Sequence, residues 1–259
     1  MSSSSLALTL SRMASRLPRG GFPLVRAIGT AFGDRAQVEL DTKYGRVACD
    51  LRESVCYELL KTGSYHHWAD EERFAADFPV DDTTVIVDVG ANIGLFAILF
   101  ARQGATVHAF EPSERAGRIL RRNAVLYPKI RLHQNLVADQ SGELPFLEQS
   151  MTNLSSIGDG GRLMKSVALD DLDVVPDLIK IDVEGFEHLV LAGATRHLRA
   201  GVPILFEALD EKALDRNSAV IRAANEAYAI DRLGASDNYF ATVPANRAAP
   251  VASAESGLA

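Results

Sequence analysis

Three groups of residues in this chain could take part in chemistry, and the first is the segment DVGANIG. In it Asp88, Gly90, Asn92 and Gly94 follow the apolar run VIV. Glycines at such a strand end let the backbone turn sharply and let a ligand approach it closely. A carboxylate there suits a cationic ligand, because opposite charges attract more strongly in a cleft than in water. The segment therefore predicts a ligand-binding loop.

The second group is the segment AFEP, which places Glu111 seventeen residues after Gly94. An acid after the second strand of such a unit can accept hydrogen bonds from both hydroxyls of a ribose. Pro112 ends the strand and presets the helix that follows. The alternative is a surface acid that only caps a helix beginning at Ser113. Together with the loop, Glu111 favours ribose recognition.

The two groups distinguish between ligands that contain a ribose. A dinucleotide loop, G-x-G-x-x-G, needs a middle glycine for the pyrophosphate, and Asn92 stands in its place. Asp88 would also repel a diphosphate. S-adenosylmethionine has a ribose, a cationic sulfonium and an amino group, and so fits better. An NAD-dependent oxidoreductase and a non-catalytic domain of the same fold remain as alternatives.

The third group is a set of carboxylates in IKIDVEGFEHL and PILFEAL: Asp182, Glu184 and Glu207. Each lies at or just beyond the carboxyl end of a predicted strand. In the usual doubly wound order the first and fourth strands are neighbours, so Asp182 should face the DVGANIG loop. The alternative for Glu184, and more so for Glu187, is a favourable position at a helix N-terminus.

These carboxylates are the predicted catalytic groups. Asp182 is the first candidate for the base that takes a proton from an acceptor hydroxyl, with Glu184 and Glu207 as alternates. The same oxygens could hold Mg²⁺, although no ligand spacing requires a metal. The histidines His66, His67 and His188 are weaker candidates for the base.

Alternating strands and helices predict the fold that positions these groups. Five strands are expected at 85–89, 106–110, 130–134, 177–183 and 203–209, with helices at 95–102, 113–126, 188–199 and 213–227. This order implies a doubly wound parallel α/β sheet, covered by helices on both faces. The segments 228–234 and 238–244 lack a helix between them and should pair as an antiparallel edge hairpin. Residues 136–172 are expected to be a loop-rich insertion.

The combined motifs DVGANIG, AFEP, VALDDL, KIDVEG and PILFE resemble the FkbM-type family of S-adenosylmethionine-dependent methyltransferases, over roughly residues 55–243. The resemblance implies a Rossmann-like class I fold, a seven-stranded sheet whose last strand is antiparallel. It also implies O-methylation of a sugar or other small-molecule hydroxyl. By similarity, the cofactor motifs comprise Asp88, Gly90, Ala91, Asn92, Gly94, Glu111 and Pro112, whereas Asp182 and Glu184 belong to KIDVEG.

The chain departs from the family before the first core strand. Members often show a Tyr-Glu pair there, but here the segment is SYHHWADEERF, in which Tyr65 is followed by His66. The acids come later, at Glu71 and Glu72. We expect residues 1–80 to form a helical and hairpin cap, 81–243 the methyltransferase domain, and 244–259 a flexible tail.

Composition narrows the possible partners and location. A net charge of −7 disfavours a nucleic-acid scaffold. Cys49 and Cys56 fit no metal or disulfide pattern and are expected to be buried reduced thiols, which agrees with a cytoplasmic protein.

In residues 1–33, which contain four arginines and no acid, the spacing of Leu6, Leu10, Met13 and Leu17 predicts an amphipathic helix packed on the domain. A transit peptide or a membrane-surface helix is the alternative. The oligomeric state is not predicted.

Overall fold

A seven-stranded sheet forms the centre of the protein in the computed structural model, which describes residues 3–17, 19–147, 156–157 and 160–244. Its strands are β3 (Val85–Val89), β4 (Thr106–Phe110), β5 (Ile130–His133), β10 (Leu178–Ile181), β11 (Ile204–Glu207), β12 (Ala229–Arg232) and β13 (Asn238–Thr242). The order across the sheet is β12-β13-β11-β10-β3-β4-β5. The predicted α/β fold with a class I sheet is therefore confirmed.

The order of the strands explains how the predicted loops meet. The pairs β3–β4, β4–β5, β10–β3 and β10–β11 are all parallel, and β10 lies directly beside β3. β13 runs antiparallel to both β11 and β12. The expected antiparallel pairing of the last two strands is confirmed, but β13 inserts next to β11 and leaves β12 at the edge.

Helices cover the sheet where the apolar periodicity predicted them, with one exception. These are α5 (Leu95–Gln103), α6 (Glu114–Leu126), α7 (Glu187–Ala192), α8 (Thr195–Arg199) and α9 (Glu211–Ala224). Ser113 caps α6 by accepting a hydrogen bond from the Ala116 N–H, as its residue type predicts. The single helix expected over 188–199 is wrong, because it is divided at Gly193. The Ala138 backbone passes so close there that a Cβ on Gly193 would overlap its carbonyl oxygen.

The insertion between β5 and β10 contains more regular structure than the sequence indicated. It forms a separate sheet in the order β6-β9-β7-β8 from β6 (Leu136–Val137), β7 (Gly142–Leu147), β8 (Ser156–Ile157) and β9 (Arg162–Val167). Residues 148–155 and 158–159, which belong to the same predicted insertion, lie outside the described residues.

The cap comprises helices and a hairpin that share a core with the sheet. It contains α1 (Ser3–Ser15), α2 (Gly21–Phe32), β1 (Gln37–Thr42), β2 (Gly45–Asp50), α3 (Ser54–Thr62) and α4 (Ala69–Asp77), with a 3-10 turn at His66–Trp68. The hairpin and the two helices after it confirm the predicted pattern, and α2 was not predicted. Cap and sheet side chains belong to one buried apolar cluster. The division of the chain at residues 80 and 81 stays a prediction.

Two sets of contacts join this cap to the elements that carry the site. The buried Asn123 side chain donates to the carbonyl oxygens of Ala48 and Ile93, at 3.1 and 2.7 Å, and so joins the hairpin to the DVGANIG loop. Edge-to-face ring contacts also connect Trp68 with Phe96 in α5 and Phe74 with Phe240 in β13. The cap is therefore held directly against the ends of the central strands.

Cys49 and Cys56 form a disulfide, which corrects the prediction of two reduced thiols. Their Cα atoms are 5.4 Å apart, because the chain leaves β2 and enters α3 within seven residues. Both side chains are fully buried. A spacing of seven residues follows no recognised disulfide pattern, so the sequence alone does not reveal the bond.

The N-terminal helix forms as predicted, but its leucine stripe does not face the domain. α1 packs through Ala7, Ser11 and Ala14, which are almost completely buried, whereas Leu10 and Met13 are exposed. In the part of the chain that the structure describes, no helix is both long and apolar enough to cross a membrane. Apart from residue 244, the predicted flexible tail lies outside the described residues.

Candidate active site

The loop after β3 is shaped by three residues with left-handed backbone conformation. Gly90 has φ 79°, Asn92 φ 51° and Gly94 φ 86°. A Cβ on Gly90 would overlap the backbone carbonyl oxygen of Asp182, so the loop lies directly against the end of β10. The N–H groups of Gly90 and Ala91 both donate to the carbonyl oxygen of Phe110 at 3.0 Å. The sequence motif thus forms a tight turn between the ends of three neighbouring strands.

Glu111 lies at the end of β4 and is only 7% exposed. One carboxylate oxygen accepts the N–H of Asn92 at 2.8 Å, and the other accepts the N–H of Ser113 at 2.8 Å. Burial raises the pKa of Glu111 to about 7, although these two backbone donors act in the opposite direction. The hydrogen bonds orient the carboxylate and leave lone pairs for further donors. Pro112 follows it directly and is partly buried.

Beneath the loop, Asp88 forms an ion pair with a residue that the sequence analysis did not select, Lys180. Asp88 is completely buried, and its Oδ1 lies 3.4 Å from Lys180 Nζ. The same Nζ donates to Asp182 Oδ2 at 3.1 Å. Burial works against the charge of Lys180, but the carboxylates of Asp182 and Asp88 outweigh it, so the lysine pKa is raised. Burial raises the pKa of Asp88, while Lys180 opposes that rise.

Asp182, Glu184 and Glu207 lie near enough to influence one another electrostatically. Burial, then the charge of Asp182, raises the pKa of Glu184 to about 7. Burial and the charges of Asp182 and Glu184 raise that of Glu207 to about 8. Glu184 also has φ 54°, a strained conformation for a residue with a side chain. The carboxyl ends of β10 and β11 therefore carry three carboxylates beside the loop.

Glu187, unlike the three carboxylates above, binds the backbone of its own turn. It is 1% exposed, and its Oε1 accepts the N–H of Gly185 at 2.9 Å and that of Val183 at 3.3 Å. Its carboxylate thus holds the turn that carries Glu184. This agrees with the structural alternative considered for Glu187 at a helix N-terminus.

The cap contributes Tyr65 and Glu71 to this cluster. The charges of Asp182, Glu71 and Glu184 help to raise the pKa of Tyr65 to about 12, after burial and the charge of Glu58. Glu71 is 6% exposed, and its Oε1 accepts a hydrogen bond from Asn238 Nδ2 at 2.8 Å. Glu72 points elsewhere, because it forms an ion pair with Lys43 at 2.6 Å. Of the two acids left open by the sequence, Glu71 is the buried one, and it contacts Asn238, which is opposite Glu207 in the sheet.

Among the described side chains, neither His66 nor His188 forms a hydrogen bond or ion pair with Asp182, Glu184 or Glu207. His66 is largely exposed and lies 3.9 Å from Glu58. Burial, together with the charge of Arg216, lowers the pKa of His188. The side chain of His67 is outside the described part of the structure.

Replacing Glu71 by glutamine is expected to reduce the pH dependence of stability. Burial raises the Glu71 pKa from 4.5 to about 7, so its stabilising contribution is complete below pH 4.5 and is lost as the pH rises through 7. Glutamine can keep the hydrogen bond from Asn238 but does not ionise. The slope of unfolding free energy against pH over this window should become less negative, by up to about 1.4 kcal/mol per pH unit. Denaturant unfolding at several pH values measures it, and an unchanged slope would contradict the role of burial.

Lys180 could have been found from the sequence by its position. It lies in LIKI, an otherwise apolar strand whose residues are all buried. A lysine is almost never fully buried unless it is paired, so a charge in such a strand indicates a partner. The identity of that partner, Asp88, depends on the parallel register in which Asp88 and Lys180 are opposite one another.

Among the described residues, no three His, Cys, Asp or Glu side chains are arranged to hold a metal ion.

Comparison with a protein-family model gives a match over more than half of the chain. The model described as the methyltransferase FkbM domain matches residues 88–223. A curated relative, the 31-O-demethyl-FK506 methyltransferase FkbM of Streptomyces tacrolimicus, is 48% identical over 62 residues. That alignment covers 22% of this chain and 24% of the relative's length.

Solved structures with a similar fold were also found. M. jannaschii TYW2 in complex with AdoMet has a TM-score of 0.48 and 15% identity, with coverage of 81% of this chain and 84% of that one. Pyrococcus abyssi tRNA (uracil-54, C5)-methyltransferase, in complex with S-adenosyl-L-homocysteine, has a TM-score of 0.49 and 13% identity, with coverage of 80% and 44%. At this level the similarity concerns the fold and does not extend to substrates.

Proposed function

Since the chain belongs to the FkbM methyltransferase family, we propose that it transfers a methyl group from S-adenosylmethionine to an oxygen of a small molecule or glycan. The observation that carries this proposal is the site itself. A loop with left-handed residues and the buried carboxylate of Glu111 lie beside a cluster of carboxylates at the ends of β10 and β11.

The charges of the site fit a cationic cofactor. Lys180 interacts with Asp88, Asp182 and Glu207, and also affects the pKa values of Glu71, Glu111 and Glu184. One buried cation thus faces six carboxyl groups. Several of these groups have pKa values raised to about 7 or 8 and can ionise when a cation enters, which favours a sulfonium and an ammonium group and disfavours a diphosphate. This supports S-adenosylmethionine over NAD.

Glu111 is the residue proposed to hold the ribose. Its two oxygens are fixed by the N–H groups of Asn92 and Ser113, so the carboxylate is oriented before any ligand binds. Gly90, Ala91, Asn92, Gly94 and Pro112 are proposed to shape the rest of the cofactor site. Asp88 is fully buried and is paired with Lys180, so we propose that it supports the site through that lysine.

Two observations support an oxygen atom as the methyl acceptor: the raised pKa values of the carboxylates and the name of the curated relative. Carboxylates whose pKa values are raised towards 7 and 8 can take a proton from a hydroxyl near neutral pH. The relative's name describes a substrate that lacks a methyl group at an oxygen, 31-O-demethyl-FK506. We propose the same class of acceptor atom for this chain.

When bound, S-adenosylmethionine supplies an electrophilic methyl group. The protein must hold the acceptor oxygen in line with it, which is the larger share of the catalysis. We propose that Asp182 orients the hydroxyl and takes its proton, because Asp182 lies against the cofactor loop and its side chain is 34% exposed. Glu184 and Glu207 are the alternate bases.

Calorimetry with S-adenosylhomocysteine tests the cofactor assignment. We expect binding of this product and none of NAD. Glu111→Ala should weaken binding by about 30-fold or more, since the ribose would lose hydrogen bonds to a charged group. Glu111→Gln, which keeps one carbonyl oxygen, should lose less.

Glu114→Ala is the matched control, because it removes an exposed acid three residues away, in α6. This variant should bind S-adenosylhomocysteine with the same affinity as the unaltered protein. Binding of NAD in place of S-adenosylhomocysteine would support an oxidoreductase instead. Binding of neither ligand would favour a non-catalytic domain. Incubation with methyl-labelled cofactor and cell extracts, followed by mass spectrometry of the labelled product, identifies the acceptor.

A further inference from the structure

The helix α1 presents most of its large apolar side chains to solvent and its small ones to the domain, with Leu8 as the partly buried exception. Leu6, Leu10, Met13 and Leu17 recur at helical spacing, and Met13 is 65% exposed. The buried face lies one residue further on, at Ala7, Ser11 and Ala14. Half of the ten large exposed apolar residues in the described chain lie in α1, α2 and the segment between them. A packed amphipathic helix normally buries its large residues, so this stripe is available for another partner.

Positive charge accompanies the stripe. Arg12 is exposed on α1, Arg16 is exposed directly after its last residue, and Arg19 is exposed three residues further on. Since residues 1–33 contain four arginines and no acid while the whole chain carries −7, the remaining residues carry −11. This N-terminal segment therefore has a net positive charge, while the remainder of the chain is acidic.

A basic cavity lies beside the same helix. It has a volume of about 500 Å³ and is lined by Arg12, Arg16 and Lys61, together with Ser15, Leu17 and Leu60. Three cationic side chains are donors that suit a phosphate group, whereas the Ser15 hydroxyl already donates to the Arg12 carbonyl oxygen. No acidic side chain is among the lining residues. The lining residues belong to α1, the segment after it and α3, and include none of the carboxylates of the candidate active site.

We propose that this surface, the N-terminal face formed by Leu6, Leu10, Met13, Leu17, Arg12 and Arg16, docks on a membrane that contains anionic phospholipids. An apolar stripe flanked by arginines is the pattern of helices that lie in the membrane interface. The long arginine side chains can reach phosphates while the leucines enter the acyl boundary. The cavity between α1 and α3 then receives one lipid headgroup.

Vesicle flotation of the full-length protein tests the proposal. Vesicles of phosphatidylcholine alone are compared with vesicles that also contain phosphatidylglycerol, at low and high salt. The protein should float with the anionic vesicles, and high salt should weaken the binding. Arg12→Gln/Arg16→Gln should reduce affinity by about 30-fold, since each arginine near an anionic surface contributes about fivefold. Leu10→Gln/Met13→Gln should also reduce it.

Matched controls separate this surface from charge and exposure in general. Arg118→Gln/Arg222→Gln removes two exposed arginines elsewhere, and Val125→Gln/Leu163→Gln removes two exposed apolar residues. These variants should bind vesicles normally. The proposal would be overturned if the control variants lost as much vesicle binding as the variants of the N-terminal face. It would also be overturned if the unaltered protein did not float with anionic vesicles at low salt. If the protein forms a dimer that Leu10→Gln/Met13→Gln dissociates, and does not float, the face is an interface between two copies.

Discussion

Asp182→Asn is expected to lower kcat by about 10²- to 10⁴-fold, the usual contribution of a positioned base, while S-adenosylhomocysteine binds as before. Asparagine keeps the size of the side chain and an oxygen that can accept from Lys180 Nζ, now 3.1 Å away. It cannot take the proton of the acceptor hydroxyl. Turnover measured with labelled cofactor, together with calorimetry, separates a loss of chemistry from a loss of binding.

The pH dependence of turnover distinguishes Asp182 from the alternate bases. The charge of Asp182 helps to raise the pKa values of Glu184 and Glu207, so its removal should lower both. If one of these glutamates is the base, Asp182→Asn retains substantial activity. The rising limb of its plot of turnover against pH then moves to lower pH. The role of Asp182 would then be contradicted. Glu184→Gln and Glu207→Gln, measured in parallel, identify which glutamate replaces it.

Lys180→Met is expected to destabilise the protein by about 3–5 kcal/mol, because it leaves buried negative charge without its partner. Asp88 is completely buried, and the lysine is its only ion-pair partner among the described residues. For a protein of this size the melting temperature should fall by roughly 10 °C. Denaturant and thermal unfolding measure the effect. Lys212→Met, on the exposed side of α9, should change stability by less than about 0.5 kcal/mol.

A double variant shows whether charge or packing causes the loss. Asp88→Asn removes the buried charge that Lys180 neutralises. The double variant with Lys180→Met should be more stable than the sum of the two single effects predicts, by about 1 kcal/mol or more, which is the coupling energy between the contacting residues. If the double variant is less stable than Lys180→Met by the full effect of Asp88→Asn, the two residues act independently and the electrostatic explanation is wrong.

Much of the fold could be predicted because local patterns specify it. The strands 85–89 and 106–110 are found at their predicted bounds, and Ser113 caps the next helix as expected. Apolar runs, turn residues and caps act over a few residues and can be read directly. The neighbouring positions of the first and fourth strands follow from rules of chain connection. These rules also bring the DVGANIG loop and Asp182 to one edge of the sheet.

Other features depend on contacts between distant parts of the chain. The cofactor and catalytic roles assigned to the individual acids stay predictions. The tertiary structure decided that Lys180 forms an ion pair with Asp88. It also decided that Glu71 is buried and contacts Asn238 while the adjacent Glu72 pairs with Lys43. Which of two neighbouring acids points inward depends on the rotation of α4 against the sheet, which no local pattern fixes.

Both α1 and the disulfide depend on a local pattern and on a contact between distant elements. By itself the sequence determined that residues near the N-terminus form a helix with a leucine stripe. Only the packing decided which side of that helix is buried, because Ala7, Ser11 and Ala14 permit a close approach that leucines would prevent. Likewise, two cysteines seven residues apart become partners only because β2 and α3 bring their Cα atoms to 5.4 Å. Spacing along the chain determines the elements, and the distances between elements determine their contacts.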